Sequence, residues 1–215
     1  MHDEERSLRE EIIAKSLEMG TTGLNQGTSG NISARYEDRL LITPSATPYD
    51  SLEPEMIASI SIDENSGSWS GPLKPSTEWR FHLELMRKRP EIRAVIHAHS
   101  LYCTSLAMTR KEIPACHYMV AAFGGNNVRC SPYATYGGEA LSKLAIEAME
   151  DRTACLLANH GMIVVGENLS QAMWRAIELE TIAHQYFISL QIGGPEILTD
   201  PDLDAVHAKF ASYGQ

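Results

Sequence analysis

The histidines in His97-Ala98-His99 are the residues whose spacing points most directly to chemistry. The apolar residues before them predict a strand over residues 94–99, and in a strand residues i and i+2 point to the same face. Both imidazoles can therefore reach one point, a geometry that Zn²⁺ accepts. The pattern is short and common, so two histidines bonded to backbone at a sheet end are an equal alternative on this pattern alone.

A third histidine, His160, raises the case for a metal. It follows the apolar run 154–158 and lies in the polar turn Asn159-His160-Gly161. A histidine at a strand end can supply a third ligand, although a turn histidine facing solvent would give the same pattern. Three histidines leave an open coordination position for substrate, as expected of a catalytic zinc.

Glu78 is the candidate carboxylate for such a site. It follows Pro75-Ser76-Thr77, which predicts the start of a helix that runs to residue 89. A carboxylate in the first turn is favoured by the helix dipole, so Glu78 by itself is typical of an ordinary helix start. Beside a metal, it can act as a base or as a fourth ligand while substrate is absent.

Three polar turns could bind an anion through neutral donors. Their glycines let backbone approach a ligand, and their hydroxyl and amide groups can donate hydrogen bonds. They are residues 25–31, Thr43-Pro44-Ser45-Ala46 and Ser76-Thr77. None matches a nucleotide-binding pattern, and each alone is more often an ordinary loop than a phosphate site.

The elements that must position these side chains alternate between helix and strand. Helices are predicted from a capping box at Ser7-Leu8-Arg9-Glu10, over 75–89, 100–108 and 138–150, from a Ser170 cap to residue 193, and near Phe210. Strands are predicted over 32–36, 39–43, 57–62, 94–99, 117–122, 128–132, 154–158 and 162–165. So many short strands favour a mixed or antiparallel sheet in one α/β domain.

Composition excludes several classes of protein. The chain has 215 residues, of which 43% are hydrophobic, and this length suits one large domain. A net charge of −10 argues against general nucleic-acid binding, which requires clustered Lys and Arg. No apolar run approaches the ~20 residues of a membrane span. Four dispersed cysteines and a charged amino terminus predict a reduced, cytoplasmic protein without a signal peptide.

Ordered motifs run through nearly the whole chain. They include residues 23–33, 41–44, 76–82, 95–99, 113–119, 132–137, 159–161 and 209–214. In this order and spacing they resemble the class II aldolase/adducin family. The resemblance implies one domain over residues 1–215, with a central, mostly antiparallel sheet flanked by helices. It also implies a cyclic homotetramer with active sites shared between subunits.

The same resemblance implies the roles of the site residues. One Zn²⁺ per subunit is expected on His97, His99, His160 and, in the resting site, Glu78. The substrate phosphate is expected on Asn31, Ser45, Ser76 and Thr77. The catalytic residues are expected to be Glu78 as acid/base, Tyr118 from the neighbouring subunit, and Tyr213 near the carboxyl terminus.

The implied activity is reversible cleavage of a ketose 1-phosphate into dihydroxyacetone phosphate and an aldehyde. Zinc would stabilise the negative charge left on the ketose oxygens, so that no Schiff-base lysine is needed. Three features depart from the fuculose-phosphate members of the family: Ala46 replaces a glycine, Tyr136 replaces a phenylalanine, and the tail after Tyr213 is shorter. The substrate expected is therefore L-fuculose 1-phosphate or a 5-deoxy or 5-methylthio pentulose 1-phosphate.

Three rival functions share the fold. A pentulose-phosphate 4-epimerase would carry aspartate at the Glu78 position, so Glu78 counts against it. A methylthioribulose-1-phosphate dehydratase is less well excluded and is separated by its product. An adducin-like interaction module would lack the metal-binding histidines, and this chain has all three.

Overall fold

An eight-stranded sheet forms the centre of the computed structural model, which describes residues 1–63 and 66–210. The helices are α1 (Asp3–Thr21), α2 (Trp79–Lys88), α3 (Leu101–Met108), α4 (Glu139–Ala148), α5 (Leu169–Gln191) and α6 (Asp200–Phe210). The strands are β1 (Asn31–Tyr36), β2 (Arg39–Ile42), β3 (Ala58–Ser61), β4 (Trp69–Ser70), β5 (Ala94–Ala98), β6 (Ile113–Pro114), β7 (Asn127–Val128), β8 (Cys130–Ser131), β9 (Ala154–Leu157) and β10 (Gly161–Gly166).

The strand order of the sheet is β4-β3-β2-β1-β5-β10-β9-β8. Every neighbouring pair is antiparallel except β8 and β9, which are parallel. Strands β6 and β7 form a separate two-stranded sheet. The predicted fold class, a mostly antiparallel sheet flanked by helices in a single domain, is confirmed. The domain boundaries at residues 1 and 215 stay a prediction.

Side-chain alternation along the central strands divides the core into two layers. On one face Ile96 packs in the cluster that includes residues of α1, α3 and α5. On the other face Val95 packs with residues of α2 and α4. Because strand residues alternate, His97 points to the same side as Val95, toward α2. The ring of Phe81 on α2 meets the His97 ring edge-on at a centroid distance of 5.6 Å.

Helix starts differ from those predicted. Helix α1 begins at Asp3, so the capping-box pattern at Ser7 lies inside it, and three acidic residues in the first turn favour the earlier start through the helix dipole. Helix α2 begins at Trp79 with Glu78 as its N-cap residue. The N-cap of α5 is Asn168 instead of Ser170, and its side chain accepts a hydrogen bond from the Gln171 backbone N–H.

The strand predicted over residues 117–122 is wrong. Tyr118–Phe123 forms a 3₁₀ helix, and the His117 side chain caps it by accepting a hydrogen bond from the Met119 backbone N–H. Gly124 ends it at φ +89°, in the left-handed region that favours glycine. Strand β4, which pairs with β3 at the sheet edge, was not predicted.

Helix α5 is the longest helix, with 23 residues. Its inner face is buried against the sheet, but Trp174, Ile177 and Ile188 remain exposed on the outside. In the part of the chain that the structure describes, no helix combines the length and apolar character needed to cross a membrane.

Candidate active site

Three histidines meet at the ends of central strands of the sheet. His97 lies in β5 and His99 directly follows that strand, so their rings share a face. His160 belongs to the turn between β9 and β10, and β10 pairs with β5. The ligand atoms of the three rings all lie within 4.8 Å of one another. The structure therefore brings together the three histidines predicted as metal ligands.

A backbone contact orients the His97 ring. The Nδ1 of His97 donates to the Met162 carbonyl oxygen at 2.8 Å, which leaves a lone pair on Nε2. This Nε2 lies 3.0 Å from Nε2 of His99. The backbone N–H of His99 donates to Oδ1 of Asn25 at 2.8 Å, which ties the end of β5 to the loop before β1.

The turn that carries His160 depends on its two neighbours. Asn159 adopts φ +56°, a left-handed conformation that asparagine tolerates better than most residues. Its side-chain oxygen accepts a hydrogen bond from Nε of Arg110 at 2.8 Å. At Gly161 a Cβ atom would lie 2.5 Å from the Ala98 carbonyl oxygen, so only glycine lets β10 approach β5 this closely.

Glu78 completes the cluster from the N-terminus of α2. It is 7% exposed, and its carboxylate oxygens lie 3.1 Å from Nε2 of His97 and 3.2 Å from Nε2 of His160. The oxygen nearer His160, Oε1, is buried without a hydrogen-bond partner, whereas Oε2 accepts from Nδ2 of Asn31 at 3.0 Å. The two oxygens are therefore held differently.

Charge states follow from these surroundings. Burial alone would raise the pKa of Glu78, but His97 and His160 outweigh burial and hold that pKa well below its usual range. Burial, together with His97 and His160, lowers the pKa of His99 to about 4. At neutral pH Glu78 is thus a carboxylate and His99 a neutral imidazole, the forms in which both can bind a metal.

This donor set fits a divalent metal ion. Imidazole nitrogens and one carboxylate oxygen are a tetrahedral zinc set, in which the carboxylate can give way to substrate. The buried, unpartnered Oε1 of Glu78 and the free lone pair on His97 are what a bound cation would satisfy. His97, His99 and His160 would hold the ion, with Glu78 beside them.

A cavity of about 350 Å³ opens beside the cluster. Its polar wall includes the four residues predicted to bind phosphate: Asn31, Ser45, Ser76 and Thr77. Two backbone hydrogen bonds join the turn that carries Ser45 to the turn that carries Ser76 and Thr77, from Ser45 N–H to the Lys74 carbonyl and from Ser76 N–H to the Thr43 carbonyl, each at 3.0 Å. Tyr133 and Tyr136, both exposed, line the same cavity.

Residues 10–187 match the family described as Class II Aldolase and Adducin N-terminal domain. The chain belongs to this family. A 5-methylthioribulose-1-phosphate/5-deoxyribulose-1-phosphate aldolase of Rhodospirillum rubrum is 47% identical over 208 residues, covering 97% of this chain and 93% of the relative. An L-fuculose phosphate aldolase of Escherichia coli K12 is 44% identical over 212 residues, covering 98% and 97%.

A solved class II structure confirms the fold of this member of the class II aldolase and adducin family. An L-fuculose 1-phosphate aldolase superposes with a TM-score of 0.91 at 36% identity, covering 95% of this chain and 96% of the other.

Tyr118, one of the two predicted tyrosines, does not join the site within one chain. Tyr118 is 50% exposed in its 3₁₀ helix and does not line the cavity. Tyr213 lies outside the described residues. The roles of both tyrosines, and the assignment of ligand and phosphate residues, stay predictions.

Sequence reasoning missed His82, which is fully buried on α2 behind Asn31. A signal was present, because His82 lies four residues after Glu78 and so on the same helical face. Ser33 was missed in the same way: it follows Asn31 by two residues on β1, so both side chains point toward α2.

Proposed function

We propose that this chain is a zinc-dependent aldolase that reversibly cleaves a ketose 1-phosphate into dihydroxyacetone phosphate and an aldehyde. The convergence of three imidazoles and one buried carboxylate beside a polar cavity carries the proposal. The named activities of the Rhodospirillum rubrum and Escherichia coli relatives support it. An adducin-like module would have no use for this donor set.

Phosphate binding would anchor the unreacting end of the substrate. Ser45, Ser76 and Thr77, which carry hydroxyl groups, line the same cavity as Glu78 and His160. Fixing the phosphate at one end would orient the C3–C4 bond toward the metal-binding residues. The substrate would then lose its translational freedom on binding and not in the chemical step. Neutral donors can hold the dianion although the chain carries a net charge of −10.

Glu78 would move the proton at C3. A zinc ion bound by the histidines would supply Lewis-acid stabilisation of the negative charge that cleavage leaves on the ketose oxygens. Glu78 would give way to the substrate and would then pass to C3 a proton in exchange for the one that leaves the C4 hydroxyl, which gives dihydroxyacetone phosphate. Its unpartnered Oε1 is the oxygen free to do so.

The proposal extends to assembly. Tyr118 would come from the neighbouring subunit of a cyclic homotetramer to take the proton from the C4 hydroxyl as that oxygen becomes the aldehyde carbonyl, and to return it in the reverse reaction, with Tyr213 close by. The exposure of Tyr118 and of the outer face of α5 supports a shared interface. The four cysteines are all free thiols, which supports a reducing, cytoplasmic location.

A coupled assay for dihydroxyacetone phosphate tests the function. Fuculose, rhamnulose, 5-deoxyribulose and 5-methylthioribulose 1-phosphates would be supplied in turn, each with its phosphate-free ketose as control. We expect release of dihydroxyacetone phosphate from at least one phosphorylated substrate, and a far lower kcat/KM for the free ketose. A dehydrated product without dihydroxyacetone phosphate would replace the aldolase assignment with a dehydratase.

A further inference from the structure

A line of buried hydrogen bonds leads away from the Glu78 carboxylate into the core. Nδ2 of Asn31 donates to Oε2 of Glu78 at 3.0 Å. Oδ1 of Asn31 contacts Nε2 of His82, and Nδ1 of His82 lies 2.7 Å from the Ser33 hydroxyl. Ser33 and His82 are completely buried and Asn31 is 3% exposed, so solvent does not compete for these bonds.

The chemistry of the groups fixes the direction of every bond in this line. The Nδ2 of Asn31 can only donate and its Oδ1 can only accept, so the amide donates to Glu78 and accepts from His82. His82 must then donate from Nε2. Burial and the neighbouring His97 lower the pKa of His82 to about 3, so the ring is neutral and Nδ1 carries a lone pair. Ser33 therefore donates to Nδ1.

Two elements of regular structure build this line. Asn31 and Ser33 are i and i+2 on β1, while Glu78 and His82 are i and i+4 at the start of α2. Phe81 stacks on the His82 ring at a centroid distance of 4.6 Å and 21° between planes, which fixes the ring orientation. None of the three residues behind Glu78 is among the histidines of the metal cluster.

We propose that His82, locked by Ser33 as its Nε2–H tautomer, is a positioning residue that acts through Asn31 to anchor Oε2 of Glu78. Anchoring Oε2 leaves Oε1 as the oxygen that receives and returns the C3 proton. The proposal rests on the proposed function, because it assigns a role in that reaction. Asn31 thereby has a task at the carboxylate in addition to its place in the cavity wall.

Two amide substitutions at His82 separate the hydrogen bond from the packing. In His82→Gln the side-chain nitrogen matches the place of Nε2 and can still donate to Asn31. In His82→Asn the side chain is one methylene shorter and matches only the Nδ1 end, facing Ser33. Both variants are neutral and both leave some empty space, so their difference reports the donor to Asn31.

The readout is exchange of the dihydroxyacetone phosphate C3 proton into deuterated water, followed by NMR on the zinc-loaded protein. Because loss of an outer partner of a metal-site group costs about 10–100-fold, we expect His82→Asn to exchange at least about tenfold more slowly than wild type. His82→Gln should stay within about threefold, and KM for the ketose phosphate should change little. Zinc content, by elemental analysis, should remain one per subunit in both.

Equal exchange by His82→Asn and wild type would overturn the proposal, and so would an equal loss in the Asn and Gln variants. Should His82→Asn fail to fold or to bind zinc, Ser33→Ala carries the same test, since it frees the tautomer of His82. Its matched control is Ser16→Ala, which removes an equally buried hydroxyl bonded to the Ile12 carbonyl on α1. Slower exchange in Ser33→Ala alone supports the proposal, and identical exchange in both refutes it.

Wild-type behaviour distinguishes this proposal from the proposed function. If zinc-loaded wild type exchanges no C3 proton and releases no dihydroxyacetone phosphate, the aldolase function itself fails. If wild type does both, the comparison of variants bears on His82 alone.

Discussion

At the scale of single residues, Ala46 lies in the cavity wall with a backbone conformation that favours glycine. It adopts φ +53°, in the left-handed region where a Cβ atom costs about 1–2 kcal/mol. The fuculose-phosphate members of the family were expected to carry glycine here, and the observed conformation gives the physical reason. The chain holds this turn with alanine, at a cost in stability.

Ala46→Gly should therefore be tolerated unusually well. Relief of the left-handed conformation offsets the flexibility that glycine adds to the unfolded chain, about 0.4–1 kcal/mol. The control is Ala134→Gly, which also lines the cavity and where no positive φ is relieved. Denaturant unfolding should find Ala46→Gly more stable than Ala134→Gly by about 1 kcal/mol. Equal destabilisation by both would contradict the strain at Ala46.

His82 should make the stability of the metal-free protein pH-dependent. Its pKa is lowered from 6.5 to about 3, so below pH 6.5 the unfolded chain binds a proton that the folded chain does not. The free energy of unfolding should fall as pH falls, and between pH 7 and 5 this group should contribute a loss of about 2 kcal/mol. Above pH 6.5, where His82 is mostly neutral in the unfolded chain as well, this group no longer lowers the free energy of unfolding.

The comparison is with His82→Gln, which cannot titrate but keeps the other histidines. Urea unfolding in a chelating buffer at pH 7 and pH 5 measures both proteins. Wild type should lose about 2 kcal/mol more than the variant over this interval. Parallel losses would show that His82 is protonated in the folded protein.

At the scale of elements, the strands of the sheet were predicted better from the sequence than the short segments and turns between them. Residues 94–98 and 154–157 form strands as expected, because their apolar runs are buried on both faces. The run 117–122 has the same apolar character, but its capping by His117 and the turn at Gly124 make it a 3₁₀ helix. Periodicity cannot separate these outcomes in so short a segment.

The site residues could be predicted from the sequence where their spacing alone determines which way their side chains point. His97 and His99 share a face in any strand, whereas the meeting of His160 and Glu78 with them depends on how three elements pack. The family resemblance supplied that information. His82 and Ser33 were missed because a buried histidine four residues after Glu78 is more often part of an ordinary helix face.

The close approach of β10 to β5 at Gly161 can be tested directly. A Cβ atom there would lie 2.5 Å from the Ala98 carbonyl oxygen and 2.9 Å from Cδ2 of His99. Gly161→Ala should force β10 away from β5 and displace His99, which weakens metal binding by about 10–100-fold in competition with a chelator.

The control for Gly161→Ala is Gly20→Ala, since nothing lies within 4 Å of a Cβ atom at Gly20. This helical substitution should leave metal affinity unchanged and should stabilise the protein by up to about 1 kcal/mol. Wild-type metal affinity in Gly161→Ala would show that the sheet can absorb the methyl group without moving His99.

At the scale of the whole molecule, the proposed shared site predicts complementation between inactive subunits. Glu78→Gln and Tyr118→Phe would each disable one side of an interface that pairs unlike surfaces in a cyclic assembly. Co-expression should produce some interfaces with both residues intact, so activity should rise clearly above that of either variant alone.

Sedimentation of the mixed preparation provides the control, because complementation requires mixed tetramers. If Tyr118→Phe is too active to use, deletion of residues 206–215, which removes Tyr213, is the substitute. A fully active monomer, or well-mixed tetramers without recovery, would rule out a site shared between subunits.

Metal content and turnover measured on one sample test the central claim most directly. Elemental analysis should find one zinc per subunit, retained by wild type and diminished when His97, His99 or His160 is replaced by alanine. Removal of the metal with a chelator should abolish release of dihydroxyacetone phosphate, and added Zn²⁺ should restore it. Full release by a preparation shown to be free of metal would contradict the account.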